Sequence, residues 1–239
     1  MRTLDITLPT PEQNLALDEA LLDLCEEGSG HEILRLWEPL EYFVVLGYSN
    51  KTRLEINELS CEADGLTVLR RISGGGTVLQ GPGCLNYSLF LDLRKHPKLD
   101  GITSSNAHIM EKNRVALESL LGLPVRVQGH TDLTIENLKF SGNAQRRKKN
   151  YLLFHGTFLY RFDLDKIGKY LAMPEKRPAY RAERAHRDFV MNIPVKPTQI
   201  AQAVQKAWGS EGILDEIPLE KVAALVREKY SKEDWNRKF

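Results

Sequence analysis

The sequence predicts an α+β fold, a mixed and mainly antiparallel sheet flanked by helices. Two observations carry this. Strand-like segments come in neighbouring runs, and helical patterns fall between them irregularly instead of after every strand, which argues against a βαβ winding. The nucleotide loops of such windings are also missing. There is no G-x-x-x-x-G-K-[ST], and the one glycine cluster leads into a strand, not a helix.

The first helix is signposted by Thr10-Pro11-Glu12-Gln13: a cap, a proline in the first turn and a glutamine three residues after the cap. Leu17, Leu21, Leu24 and Cys25 then share one face, and Gly28 ends the run. EILRLWEP (32–39) and YFVVLG (42–47) read as strands with Pro39 as the breaker between them. Residues 54–63 read as a short helix closed by Asp64-Gly65, and TVLRRI (67–72) as a strand that enters the glycines. From Cys84 to Leu91, Leu85, Tyr87, Leu89 and Leu91 alternate with Asn86 and Ser88, as in a half-buried strand. Ser104 or Ser105 is expected to cap a helix over 106–121. VRVQ, DLTI and KFSGNA follow as short strands or turns, and YLLFHGTFLYRF (151–162) as a long strand. Asp163 is expected to cap a helix over 163–171, residues 174–197 to form a surface loop, and 198–208 and 218–230 to be helical.

The chain has 239 residues, 42% of them apolar and 27% charged, which suits one large globular domain. A net charge of +1 gives no global attraction to nucleic acid or membrane. No apolar run reaches the roughly 20 residues of a membrane span, and the N-terminus lacks the apolar centre of a signal peptide. Three scattered cysteines build neither a disulfide framework nor a zinc site, so a reducing cytoplasm is expected.

The chemistry concentrates in RRISGGGTVLQGPGCLNYSLF (70–90). Consecutive glycines reach backbone conformations closed to other residues, so several N–H groups can point into one anion-holding concavity. A tight hairpin is the plainer alternative. Arg70 and Arg71 flank the turn, and on a strand they point to opposite faces, so at most one can line its floor. KFSGNA (139–144) and HGTFL (155–159) add a lysine before a glycine turn and a histidine and threonine on a strand.

Taken together, these motifs resemble the signature of lipoate–protein ligases: R-R-x-S-G-G-G-T-V at 70–78, G-x-L-N-Y-S at 83–88, K-x-S-G-x-A at 139–144 and H-G-T at 155–157. NLALDEALL (14–22), LRLWEPLEYFVVLG (34–47) and KYSKEDW (229–235) extend the likeness over nearly the whole chain. The resemblance implies a sheet-and-helix fold related to biotin ligases and class II aminoacyl-tRNA synthetases, here as one catalytic domain over 1–239 with 198–239 as a C-terminal helical segment. It implies ATP with Mg2+ and a lipoate or octanoate substrate, joined as lipoyl-AMP and passed to a lysine of a lipoyl domain. Acceptors would be 2-oxoacid dehydrogenase E2 subunits or the glycine cleavage H protein. Lys139 would be catalytic. Substrate and nucleotide would be held by Arg70, Arg71, Ser73, Gly74, Gly75, Gly76, Thr77, Asn86, Tyr87, Asp132, Ser141, Gly142, Ala144, His155, Gly156 and Thr157. Leu85, Tyr87, Leu89 and part of the 42–47 strand are candidate walls of an acyl tunnel. No metal ligation by protein side chains alone is expected.

The sequence departs from the ligase pattern in three places. Gln80-Gly81 stands where ligases usually carry His-Asp, and the Gly-Pro-Gly that follows resembles octanoyltransferases. Those enzymes use a cysteine, and neither of their nucleophile positions holds one here. Cys84 is left as a possible nucleophile or as a small residue of the acyl pocket. The accessory C-terminal domain of many bacterial ligases is expected to be absent, which suggests a separate accessory chain. RRKK (146–149) and KRPAYRAERAHR (176–187) read as solvated segments or as docking surfaces for an acidic lipoyl domain or for phosphates.

Overall fold

Thr10 opens the first long helix as the sequence predicts. Its hydroxyl accepts from the Gln13 N–H and the Gln13 side chain accepts from the Thr10 N–H, closing a capping box. The computed structural model describes residues 1–28, 31–174 and 177–239. In chain order, β1 (Arg2–Asp5), α1 (Pro11–Glu26), β2 (Ile33–Trp37), β3 (Phe43–Leu46), α2 (Thr52–Glu55), α3 (Glu58–Ala63), β4 (Thr67–Arg70) and β5 (Val78–Gln80) lead to the first long strand, β6 (Cys84–Asp92). Then come α4 (Ile102–Leu121), β7 (Arg126–Gln128), β8 (Asp132–Ile135), β9 (Leu138–Arg147), β10 (Tyr151–Leu159) and α5 (Asp165–Tyr170). The chain closes with α6 (His186–Phe189), α7 (Pro197–Trp208), α8 (Leu219–Leu225) and α9 (Glu233–Asn236).

The strands build two sheets where the sequence suggests one. A seven-stranded sheet runs β1-β2-β6-β10-β9-β8-β7, and a three-stranded sheet runs β4-β3-β5. Among the described residues β1–β2 and β3–β4 pair in parallel and the other strand pairs are antiparallel. Pro39, between β2 and β3, has no N–H to continue a ladder, and the two strands it separates enter different sheets.

One face of the large sheet packs under α4 and α7, with Tyr87, Leu89, Phe154 and Phe158 against Ile109, Met110, Ile200 and Val204. On the other side Leu17, Leu21 and Leu22 of α1 pack with Trp37, Phe90 and Leu153. With both faces covered, β6 is buried along its whole length, not half-buried. Asn86 and Ser88 are therefore interior polar groups. Asn86 exchanges two 3.0 Å amide bonds with Gln80, and Ser88 donates to Asp18 at 2.7 Å.

Several boundaries move. Helix α4 starts at Ile102, because Ser104 works inside the first turn, its hydroxyl accepting from the Gly101 N–H at 2.9 Å. The 54–63 segment is two helices, the second capped by Asn57. The 163–171 segment is helical only over 165–170. After α8 a wide helical turn over Val226–Tyr230 sinks the Tyr230 ring, whose hydroxyl reaches Glu19 at 2.7 Å.

Gly156 has a packing role. A Cβ there would lie 1.7 Å from Asn143 Oδ1, so the missing side chain makes room for Asn143. That amide accepts from Tyr87 Oη at 2.6 Å and donates to the Thr131 carbonyl at 2.7 Å, tying β6, β9 and the loop before β8 together. Gly156→Ala is expected to lower unfolding stability by about 1–3 kcal/mol, the usual range for an overpacked interior. Urea denaturation checks it; an unchanged midpoint would mean that Asn143 moves aside at no cost.

Candidate active site

The two arginines ahead of the glycines divide their work. Arg70 is fully buried and faces away from the turn. Its Nη1 donates to the carbonyls of Gly47 (2.8 Å), Tyr48 (3.2 Å) and Asn50 (2.8 Å), and its Nε to that of Trp235 (3.2 Å). The expectation that it meets a ligand is corrected: every one of these bonds is to the fold itself.

Arg71 is the one under the turn. Its Nη2 donates to the carbonyls of Gly74 and Gly76, both at 2.7 Å, and its Nε to Ser73 Oγ at 3.0 Å. Among the described residues no hydrogen bond takes up the N–H groups of Gly74, Gly75 or Gly76. Gly75 holds φ +85°, and nothing lies within 4 Å of where a Cβ of Gly74 or Gly76 would stand. The carbonyls thus turn inward onto a guanidinium, and the exposed glycines border open space. Burial pulls the Arg71 pKa down to about 10, against a partial offset from the Glu55 charge, so it stays charged at neutral pH. A desolvated cation only partly offset, lying under free amides, favours an anion above them.

A bulge aims the lysine. Strand β9 pairs Asp132 with Gly142 and Leu133 with Ser141, then skips to Thr134 with Lys139. Phe140 is the extra residue and lies in the core under α4. Unbroken alternation would put Lys139 on the covered face with Ser141 and Asn143; the bulge moves it to the face of Gly142 and Ala144. Its ammonium reaches Asp132 Oδ1 at 2.8 Å and lies over Gly142, where a Cβ would come within 2.7 Å of Nζ. Ala144, two residues on, stands 3.4 Å from the Cβ position of Gly75. Turn and lysine therefore converge on one side of β9. Arg146, the next residue on this face, is exposed beside Tyr48, 5.7 Å from its ring.

The expected surface loop after 174 is in large part a folded cover. Glu175 and Lys176 lie outside the described residues. Beyond them Tyr180 donates to Asp132 Oδ2 at 2.7 Å, Arg181 is buried over the Phe189 ring, and the Met191 N–H bonds the Lys139 carbonyl at 2.9 Å. Burial beside Asp132 pushes the Tyr180 phenol far up, so it stays a donor. In the RRKK segment Arg147 donates to the Leu99 carbonyl at 2.8 Å and Lys148 pairs with Asp23, so neither is a free docking charge.

Behind the turn runs a buried polar chain. Ser73 Oγ is 2.6 Å from His155 Nε2, His155 Nδ1 is 3.3 Å from Asp18 Oδ2, and Asp18 Oδ1 accepts from Arg35 at 2.6 Å. Burial works to raise the Asp18 pKa, but Arg35, His155 and Ser88 outweigh it and hold the carboxyl below its usual value. Asp18, Arg35 and Asn143 are absent from the sequence-derived site. Asp18 and Arg35 sit among apolar positions of a helix and a strand, and that interruption was the available signal.

Other expected site residues lie elsewhere. Tyr87, Ser141 and Gly156 belong to the face under α4, and so do Leu85 and Leu89, which removes them from a tunnel continuous with the turn. Asn86 pairs with Gln80 and Thr77 Oγ1 accepts from Asn50 at 3.1 Å, whereas Thr157, opposite Gly142 across the ladder, stays on the face of Lys139. Cys84 is buried at 1% exposure, and burial pushes its thiol up to about 12, the reverse of what a nucleophile needs. A groove of about 810 Å3 between α4 and α7 holds none of these residues and lies across the sheet from the turn. Volume alone does not locate the chemistry.

The profile described as lipoyl protein ligase A/B catalytic domain matches residues 10–207. The "Probable lipoate-protein ligase A" of Mycoplasma pneumoniae is 29% identical over 248 residues, covering 99% of this chain and 71% of that protein. The octanoyltransferase LipM of Brevibacillus brevis is 26% identical, covering 95% of each. A solved bi-partite lipoate protein ligase of Thermoplasma acidophilum, studied with its E2 lipoyl domain, superposes with a TM-score of 0.83 at 25% identity, over 99% of this chain and 95% of its own.

Because its thiolate forms only near pH 12, Cys84 in the folded protein is expected to resist alkylation by iodoacetamide at pH 8 and to react after denaturation. Peptide mass spectrometry reads both states; rapid native labelling would restore it as a candidate nucleophile.

Proposed function

The chain belongs to the lipoyl protein ligase A/B catalytic-domain family, and from that premise we propose that it activates a lipoyl or octanoyl carboxylate with ATP and transfers the acyl group to a lysine of a lipoyl domain. The observation that carries this is the convergence of the free Gly74–Gly76 amides and the Lys139 ammonium on one side of β9.

A carboxylate is a poor acylating agent until its oxygen becomes part of a leaving group. In the first step a carboxylate oxygen attacks the α-phosphorus of ATP, pyrophosphate departs with the magnesium that accompanies the nucleotide, and an acyl-adenylate remains. The turn supplies N–H donors to the phosphate, with the Arg71 charge beneath. Lys139 donates to the acyl and phosphate oxygens, where negative charge grows. Asp132 and Tyr180 orient that ammonium from the other side. In the second step the acceptor amine, deprotonated from a pKa near ~10.4, attacks the acyl carbon and AMP leaves. The apolar tail is assigned to the sheet face that carries His155, where Trp37, Ile72 and Leu153 belong to the apolar layer under α1. Acceptors are lipoyl domains of 2-oxoacid dehydrogenase E2 subunits or the glycine cleavage H protein, with a separate accessory chain assisting adenylation.

Transfer from an acyl carrier, as in the octanoyltransferase relative, is the second reading. The buried thiol with its raised pKa counts against it, since it leaves that route without an activated cysteine at position 84.

Intact-mass analysis of a lipoyl domain tests both. Acylation is expected with lipoate plus ATP, or with lipoyl-adenylate alone if an accessory chain is required. Acylation only from octanoyl carrier would replace the first reading with the second. Lys139→Ala is expected to slow transfer from preformed lipoyl-adenylate by about 10²–10³-fold, the usual loss for one positioned donor, with circular dichroism unchanged.

A further inference from the structure

We propose that Asp18 is a positioning residue for the glycine turn, acting through the His155 imidazole and the Ser73 hydroxyl on Arg71. An unbroken series of hydrogen bonds joins the two ends. Asp18, ionised beside Arg35, only accepts: Oδ1 from Arg35 Nη1 at 2.6 Å, Oδ2 from Ser88 Oγ at 2.7 Å and from His155 Nδ1 at 3.3 Å. His155 Nδ1 must therefore carry its proton. At the other end Arg71 Nε–H donates to Ser73 Oγ at 3.0 Å, and a guanidinium has no acceptor to offer in return. Ser73 Oγ keeps its own proton and a second lone pair, and it meets His155 Nε2 at 2.6 Å. The links run unbroken from the ion pair to the arginine that holds the Gly74 and Gly76 carbonyls.

The anchor is built into regular structure and the far end is not. Asp18 is on α1, Arg35 on β2, Ser88 on β6 and His155 on β10, so one helix and three strands of the large sheet hold one end of the chain. Asn14 fixes Arg35 further, accepting at 2.8 Å through its carbonyl and at 2.7 Å through its side chain. The turn itself is exposed and lies outside both sheets. The order Ser73–His155–Asp18 is also that of an acyl-transfer triad, but Ser73 has 0% exposure and already receives the Arg71 bond, so its oxygen is not presented to an incoming carbonyl.

Two variants and two readouts test this without touching the buried charge pair, whose disruption could unfold the protein. In Ser73→Ala and His155→Phe, the ¹⁵N order parameters of Gly74–Gly76 are expected to fall from a rigid ~0.85 to below ~0.6. Imidazole ¹⁵N shifts of the unmodified protein are expected to show the Nδ1–H form. Unchanged glycine order parameters in both variants, or a ring without a proton on Nδ1, would overturn the proposal. The consequence for ligand rests on the function proposed above: calorimetry should show ATP binding weakened about tenfold, the worth of one lost hydrogen bond, with lipoate binding unchanged. Weakened lipoate binding with ATP unaffected would make these residues acyl contacts and overturn the inference. An unmodified protein that binds no ATP would sink the functional reading, and the nuclear magnetic resonance result would still decide the positioning role.

Discussion

The arrangement depends on one buried guanidinium. Arg71 takes the carbonyls of Gly74 and Gly76 from below, and a peptide whose carbonyl is held inward presents its N–H outward. Removing that charge from water is costly, and the Glu55 charge offsets only part of the cost. Ser73, the His155 imidazole and the Val45 carbonyl fix where it sits. The cost is accepted at the one place where a negatively charged ligand would return it. A carboxylate beneath the turn would have stabilised the empty protein and weakened the site.

The two faces of the large sheet do different work. Under α4 and α7, Asn143, Tyr87, Asn113 and Trp208 form a closed polar chain inside an apolar layer, which fixes the height of the Asp132 loop. On the opposite face the strands carry His155, Ala144 and Gly142, small or ionisable groups. A single extra residue in β9 transfers Lys139 from the first set to the second.

Local chemistry was legible in the sequence where it is decided locally. The Thr10 capping box, the glycine turn and the long strands over 84–91 and 151–159 could be read from spacing alone. What needed tertiary information was lost. Alternation along β6 separates two sets of side chains but does not say which set meets the ligand, so Tyr87 was placed on the wrong side. Adjacent arginines look equivalent until their carbonyl partners are known. The Phe140 bulge leaves no pattern, because an apolar residue beside a lysine is ordinary in any strand. β1 was missed because four residues with one buried position carry almost no periodicity. Two sheets were read as one because pairing partners are not written in strand segments.

Arg70 gives the C-terminal segment a mechanical role. Its N–H bonds Asn236 Oδ1 at 3.0 Å, its carbonyl accepts from Trp235 Nε1 at 2.9 Å, and its side chain bridges the 47–50 loop. The Tyr48 N–H in turn bonds the Ser73 carbonyl at 2.8 Å. Loosening of the segment around Trp235 and Asn236 would run up this rigging and slacken the cradle before the core had begun to melt.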